Sequence, residues 1–199
     1  MLISFLDAED KTITETLNFD GGSLADAFFH CVSNSLSWVP LALLFLYFIR
    51  KEAKGDWLRV AAILTGLVIT LTLCDRISSG VIKPLVMRLR PSHDLAVCWL
   101  LHYVNGYHGG LYGFVSSHAA NAFGAVAYCC PAVRRKGFTI MALCFATIVC
   151  YSRICLGVHY FGDVVCGAIL GATIGYSMSL VVRHLPPVIM KVHAKPHTA

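Results

Sequence analysis

Five apolar stretches dominate this chain of 199 residues and leave short connections between most of them. They cover residues 29–49, 57–82, 116–133, 138–156 and 158–182. Charged residues make up only 14% of the chain, against about 25% in a typical soluble domain. A soluble core of this size cannot bury so much apolar surface. Since about 20 apolar residues cross a bilayer as a helix, the sequence predicts an all-α, polytopic transmembrane helical bundle. We expect about five spans in a single domain, residues 1–199.

The first 19 residues have a different pattern, in which apolar and polar residues alternate at helical spacing. Leu2, Leu6, Ile13 and Leu17 recur along this segment, with acidic residues between them. The segment lacks the basic start and the uninterrupted apolar core of a signal peptide. We therefore predict an amphipathic helix over residues 1–19 that lies on the membrane surface.

Most basic residues fall on one side of a weave of five helices. Ten of the 16 lysines and arginines lie around the first and third connections and after the last segment: Arg50, Lys51, Lys54, Arg59, Arg134, Arg135, Lys136, Arg183, Lys191 and Lys195. The positive-inside rule makes that side cytoplasmic, so residues 83–115 and 152–159 lie outside. The net charge of +5 therefore reflects topology, and no nucleic-acid partner is needed to explain it.

Cysteine and glycine patterns favour packing roles. The nine cysteines are irregularly spaced, which is typical of free thiols that act as small hydrophobes, and no C-x-x-C pair suggests a metal. A disulfide between Cys31 and Cys98 is a possibility that the sequence leaves undecided. Gly167, Gly171 and Gly175 form a stripe that allows close helix packing, within one chain or between two copies, so the oligomeric state is left open.

Positive charges and hydroxyls converge on the outer side of this topology. Lys83, Arg90 and Arg153 supply cations, and arginine forks match phosphate oxygens. Ser116 and Ser117 open the third apolar helix, where hydroxyls and free amides favour an anion. Ionisable groups near a membrane are costly, which makes their convergence a sign of function. Together they predict a phosphate-binding site.

Two histidines add catalytic chemistry to this predicted site. His159 and Asp163 are four residues apart, so on one helix they share a face. A carboxylate on one ring nitrogen leaves the other free to attack phosphorus. His118 is placed to protonate a leaving oxygen. We expect phosphoryl transfer through a phosphohistidine, with cations stabilising the transition state in the role that metals often fill.

Three short motifs, in this order, resemble the type-2 phosphatidic acid phosphatase superfamily. That family is marked by K-x6-RP, PSGH and SR-x5-H-x3-D. The first is matched by Lys83, Arg90 and Pro91, and the third by Ser152, Arg153, His159 and Asp163. The second is half matched, because Val115 and Ser117 stand in place of the family's Pro and Gly, whereas Ser116 and His118 are retained.

The resemblance implies an enzyme that hydrolyses a phosphate monoester or pyrophosphate on a membrane lipid without a metal or other cofactor. His159 would attack, Asp163 would orient it, and His118 would be the acid. The candidate substrates are undecaprenyl pyrophosphate, lipid A and phosphatidylglycerol phosphate, in a bacterial inner membrane with the site on the periplasmic face. A transporter or flippase that binds a phosphorylated lipid without cleaving it is the alternative, and a haloperoxidase-like oxidase is more remote.

The segment between the first two motifs is rich in aromatics, glycines and further charges. Its aromatic residues suit head-group depth, as a lid, a head-group selector or an interfacial anchor: Trp99, Tyr103, Tyr107, Tyr112 and Phe114. Arg88 is an extra cation that we expect to bind a second phosphate or a lipid head group. Asp75 is expected to pair with Lys83.

Overall fold

A computed structural model describes residues 2–184 as a helical bundle. In these residues, eight α-helices are joined by short connections and one longer loop, with two 3-10 helices and one π-helical stretch. The helices are α1 (Leu2–Leu17), α2 (Gly22–Ser33), α3 (Val39–Ala53), α4 (Trp57–Asp75), α5 (Lys83–Val86), α6 (Ser117–Val133), α7 (Lys136–Cys155) and α8 (Phe161–Arg183). The predicted all-helical class is confirmed. Lys191, Lys195 and the C-terminal end of the predicted domain lie outside the described residues.

The first predicted apolar segment, residues 29–49, is not one straight helix. α2 ends at Ser33, and the chain bends by 69° before α3. The Asn34 side chain accepts a hydrogen bond from the Leu36 amide and starts a 3-10 turn, and Pro40 lies in the first turn of α3. Asn and Pro both favour helix starts over helix interiors, which explains the bend within an apolar run.

Three helical segments among the described residues are long and apolar enough to cross a membrane: Trp57–Val86, Lys136–Cys155 and Phe161–Arg183. The bent pair α2 and α3 brings the number to four when it counts as one span. α6 has 17 residues and is about 25 Å long, at the short end for a span. The protein is a multi-helix membrane protein, and the number of five spans stays a prediction.

α6 and α8 form the closest helix pair, and the glycine stripe is the reason. A Cβ on Gly167 would lie 2.5 Å from the Ser116 carbonyl oxygen, and one on Gly171 would meet the Ala120 backbone. Gly175 lies in the same way against Gly124. The stripe therefore serves packing within the chain, and it joins the start of α8 to the start of α6.

The end of the bundle where α6 finishes is basic. Arg135 pairs with Glu52 at 3.2 Å, and Arg183 donates to the Pro131 carbonyl at 3.0 Å. α6 starts at the predicted site residues and finishes beside Arg134, so the predicted cytoplasmic basic residues and the site lie at opposite ends of this helix.

All nine cysteines are free thiols. Cys31 and Cys98 therefore do not form a disulfide in this structure. Cys74, Cys129 and Cys150 are buried in the bundle as expected for small hydrophobes.

Candidate active site

Three chain segments bring the predicted site residues to one end of the bundle. Lys83 begins α5 at the end of the long second apolar segment, Ser116 caps α6, and Arg153 lies in the last turn of α7. His159 follows in the short turn between α7 and α8. Electrostatic interactions link His159 to Arg90, Arg153, Lys83 and His118, so the predicted cations and both histidines form one cluster.

The sequence predicted that His159 lies on the fifth apolar helix, and the structure places it just before that helix. α8 begins at Phe161, so His159 lies in the preceding turn and Asp163 in the first turn of the helix. Their contact is made nevertheless, with Nδ1 of His159 3.3 Å from Oδ2 of Asp163. The same Oδ2 accepts the Tyr160 amide at 3.1 Å, so Asp163 both caps α8 and faces His159.

The burial of His159 and Asp163 favours the neutral form of His159. His159 is 1% exposed and Asp163 is fully buried. Burial lowers the pKa of His159 well below its usual value, and the nearby positive charges of Arg90, Arg153 and Lys83 lower it further. In a neutral ring whose Nδ1–H donates a hydrogen bond to Asp163, Nε2 carries no proton and is nucleophilic.

The start of α6 is fixed to the start of α8 through Ser116. Its backbone amide donates to the Asp163 carbonyl at 2.9 Å, and its Oγ lies 3.5 Å from the Ala119 amide as the N-cap of α6. The hydroxyl of Ser117, which replaces the family's glycine, lies 2.7 Å from the Ser79 hydroxyl on the π-helical stretch. His118 follows and is exposed, and it hydrogen-bonds to the Ser33 backbone of α2.

Arg90 is held by backbone carbonyls on both sides of the loop. Its Nε donates to Tyr112 at 3.2 Å and its Nη1 to Val158 at 3.4 Å, while only 9% of the residue is exposed. Gly113 lies against it, since a Cβ there would be 3.3 Å from the Arg90 side chain and 2.7 Å from Oδ2 of Asp163. The guanidinium is therefore fixed beside the turn that carries His159 and beside Asp163.

Arg153 is buried, and not all of its N–H groups have a hydrogen-bond partner in the described part of the chain. Its Nη1 donates to the Ser33 hydroxyl of α2, and it also interacts with the Tyr107 side chain. Its Nε is a buried donor with no partner among the described residues. Buried donors are normally satisfied, so this nitrogen suits an anionic oxygen.

Two features were missed or misinterpreted from sequence. Tyr107 lies beside Arg90 and Arg153, which places one of the predicted head-group aromatics at the site itself. The expectation for Arg88 was wrong. Arg88 pairs with Asp7, Asp10 and Asp163, so carboxylates of the protein occupy its guanidinium. Positions this far apart in sequence carried no local signal for those pairs.

One group of potential metal ligands occurs among the described residues. Ligand atoms of Asp20, Asp26 and His102 lie within 4.8 Å of one another. The Nε2 of His102 is already 2.9 Å from an Asp26 oxygen, which is an ordinary ion-pair or hydrogen-bond arrangement. None of the three is a predicted site residue.

A membrane bundle that brings paired histidines to a cluster of cations is typical of phosphatases that act on lipid phosphates. Residues 59–186 match the PAP2 superfamily. A lipid A 4'-phosphatase of Porphyromonas gingivalis is 33% identical over 169 residues, 84% of this chain and 70% of that protein. One of Bacteroides thetaiotaomicron is 31% identical over 185 residues, 92% of this chain and 81% of that protein. The chain belongs to the PAP2 superfamily and is a lipid phosphate phosphatase.

Two solved structures share the fold. A transmembrane PAP2-type phosphatidylglycerolphosphate phosphatase from Bacillus subtilis has a TM-score of 0.66 and 19% identity, over 91% of this chain and 88% of that one. LpxE of Aquifex aeolicus has a TM-score of 0.53 and 25% identity, over 84% of this chain and 92% of that one.

Proposed function

We propose that this protein removes a phosphate from a lipid A-type lipid through a phosphohistidine on His159, without a metal. The observation that carries the proposal is the buried pair of His159 and Asp163, joined at 3.3 Å beside Arg90 and Arg153. A transporter has no need for an oriented histidine, whereas nucleophilic catalysis requires one.

The reaction has two steps, formation of the phosphohistidine and its hydrolysis. Nε2 of His159 attacks phosphorus and forms the P–N bond, the bond from phosphorus to the lipid oxygen breaks, and His118 gives that oxygen its proton. Water then attacks the phosphohistidine, His118 takes the proton from that water, and the P–N bond breaks to release phosphate. Asp163 accepts the Nδ1–H hydrogen bond throughout and stabilises the charged ring.

The cations stabilise the equatorial oxygens of the transferring group. Lys83, Arg90 and Arg153 all interact electrostatically with His159, and the Nε of Arg153, which has no partner among the described residues, is a donor for one phosphate oxygen. Fixed donors in a buried site need no reorganisation during the reaction, which supports catalysis without a metal.

The relatives and an apolar cavity support a lipid A-type substrate. The two curated relatives act on lipid A at its 4'-phosphate, by their names. A cavity of about 340 Å³ opens among α3, α4, α6 and α7 and reaches Asn121, one turn beyond His118. Its lining includes Trp38, Leu41, Leu71 and Phe138. The cavity extends from Asn121 to Phe138 at the start of α7, and its apolar lining suits the acyl chains of a lipid.

The proposed location rests on the distribution of basic residues. We propose the bacterial inner membrane with the site on the periplasmic face, because the basic residues of the opposite end fit the cytoplasmic side.

A phosphate-release panel in detergent tests the proposal. It compares lipid A, phosphatidylglycerol phosphate and undecaprenyl pyrophosphate, each with and without a chelator. We expect the highest kcat/KM on lipid A, unchanged by the chelator. Preference for another lipid would contradict the substrate, and inhibition reversed by a divalent metal would contradict the metal-free mechanism. Binding of lipid A without phosphate release would favour the transporter.

A further inference from the structure

Helix α1 turns its polar side toward the protein. Polar side chains spaced along one face are buried or half-buried against the bundle: Asp7, Asp10, Lys11, Thr14 and, just after the helix, Asn18. Apolar side chains point away from it, with Phe5 59% and Leu6 56% exposed. The structure has the predicted helix at Leu2–Leu17, and its polar face contacts the bundle. Its place on the membrane surface stays a prediction.

This polar face caps the first turn of α8. The Phe161 amide donates to the Thr14 hydroxyl at 2.9 Å, and the Gly162 amide donates to Oδ1 of Asp10 at 2.7 Å. The first amides of a helix have no partner within the helix, so α1 supplies the acceptors that α8 needs. A Cβ at position 162 would lie 2.7 Å from Oδ2 of Asp10, so a larger residue there would displace this carboxylate.

The same segment holds the last turn of α7. Asn18 Nδ2 donates to the Ile154 carbonyl at 2.8 Å and to the Cys155 carbonyl at 3.1 Å. Its Oδ1 accepts the His102 amide at 2.7 Å. The turn between α7 and α8, residues 156–160, is therefore held at both ends by side chains from the N-terminal segment, and this turn carries His159.

An ion-pair chain leads from α1 to the catalytic pair. Arg88 lies 2.9 Å from Asp7, 2.8 Å from Asp10 and 3.0 Å from Oδ1 of Asp163. Its guanidinium also stacks 4.1 Å from the ring centre of Tyr160. Since Oδ2 of Asp163 faces His159, Arg88 fixes the carboxylate from its other oxygen. A buried carboxylate without such a partner is strongly unfavourable.

A second chain of contacts reaches the residue after His159. Lys11 is 3.0 Å from Asp94, and Asp94 accepts the Tyr160 hydroxyl at 2.8 Å. The hydrogen bond to Asp94 is the main cause that raises the pKa of Lys11, so the lysine stays charged. Tyr160 is 1% exposed and is thus fixed at its ring by Arg88 and at its hydroxyl by Asp94.

We propose that α1 is a positioning element of the active site. Arg88 is a positioning residue that connects α1 to Asp163 and, through Asp163, to His159. α1 contacts no reacting atom. It fixes the turn that carries the nucleophile and the carboxylate that orients it. This inference rests on the proposed role of His159.

The test compares two neutral replacements on the same helix. Asp10→Asn keeps the size of the side chain and an oxygen for the Gly162 amide but removes the charge that Arg88 requires. Glu9→Gln removes the same charge from an exposed side chain of α1. We expect kcat for phosphate release from lipid A to fall roughly 10- to 100-fold in Asp10→Asn, with KM within about 2-fold of wild type. Glu9→Gln should match wild type.

A second pair keeps the proposal testable when Asp10→Asn folds poorly. Thr14→Val removes the acceptor for the Phe161 amide, and Thr14→Ser keeps it. The proposal expects a fall in kcat for the valine variant and rescue by serine. Equal kcat values in all four variants would overturn it, and so would equal losses in Thr14→Val and Thr14→Ser.

An activity-independent readout separates this proposal from the proposed function. In protein with isotope-labelled histidine, NMR reports the Nδ1 proton that His159 shares with Asp163. We expect that signal to shift or broaden in Asp10→Asn and to stay unchanged in Glu9→Gln. An unchanged signal in both would overturn the positioning role. Turnover retained in His159→Ala would instead contradict the proposed function and leave the NMR comparison valid.

Discussion

At the scale of single residues, the site depends on a histidine that is kept neutral by its surroundings. His159 is buried, faces one carboxylate and feels the positive charges of Arg90, Arg153 and Lys83, so burial and these charges favour its neutral form. In the proposed mechanism the neutral form is the nucleophile, so the environment that would serve catalysis also imposes a pH dependence on stability.

The lowered pKa of His159 predicts acid sensitivity. In the unfolded chain a histidine binds a proton below a pH of about 6.5, whereas folded His159 stays neutral. Unfolding then takes up a proton, so this contribution to stability is complete above about pH 6.5 and falls by up to about 1.4 kcal/mol per pH unit below it. Thermal unfolding in detergent at a series of pH values measures this, with His159→Gln as the reference. Equal pH slopes in the two proteins would contradict the account.

At the scale of helices, the contact between α6 and α8 sets the position of the site. The first turn of each helix carries predicted site residues, and glycines let the two backbones approach. The Ser116 amide bonded to the Asp163 carbonyl makes the two starts one unit. Changes far from the chemistry but inside this contact should therefore affect the whole fold.

Gly171→Val tests that contact. Its Cβ would meet the Ala120 backbone, which cannot move aside as a flexible side chain can. We expect a loss of about 3 kcal/mol in the free energy of unfolding, read as a lower Tm in detergent. Gly137→Val on α7 is the matched control, because a Cβ there would meet no atom within 4 Å. A Tm for Gly171→Val equal to that of the control would show that the close contact is not required.

At the scale of the whole molecule, topology assigns the site to one side of the membrane. Arg135 lies at the basic end and Asn105 in the loop near the site. In intact cells, a membrane-impermeant thiol reagent should label Asn105→Cys and not Arg135→Cys, with the unsubstituted protein giving the background of its nine cysteines. Labelling of Arg135→Cys from outside, with Asn105→Cys protected, would reverse the proposed orientation.

The sequence predicted the helical class and named residues that the structure brings together, because apolar periodicity and motif spacing are local signals. It could not predict the bend at Asn34, where capping outweighs a continuous apolar run, or the start of α8 after His159. It also missed the partners of Arg88. Asp7 and Asp10 lie about 80 residues away in the chain, and only the folded bundle brings them together.

The most direct test of the central claim is phosphate release from lipid A by His159→Ala in the presence of a chelator. Its control is His184→Ala at the opposite end of α8, which should keep wild-type turnover and show that losing a histidine is not itself harmful. We predict no turnover above background in His159→Ala, with wild-type folding and membrane insertion. Turnover in His159→Ala comparable to that of His184→Ala would contradict the account.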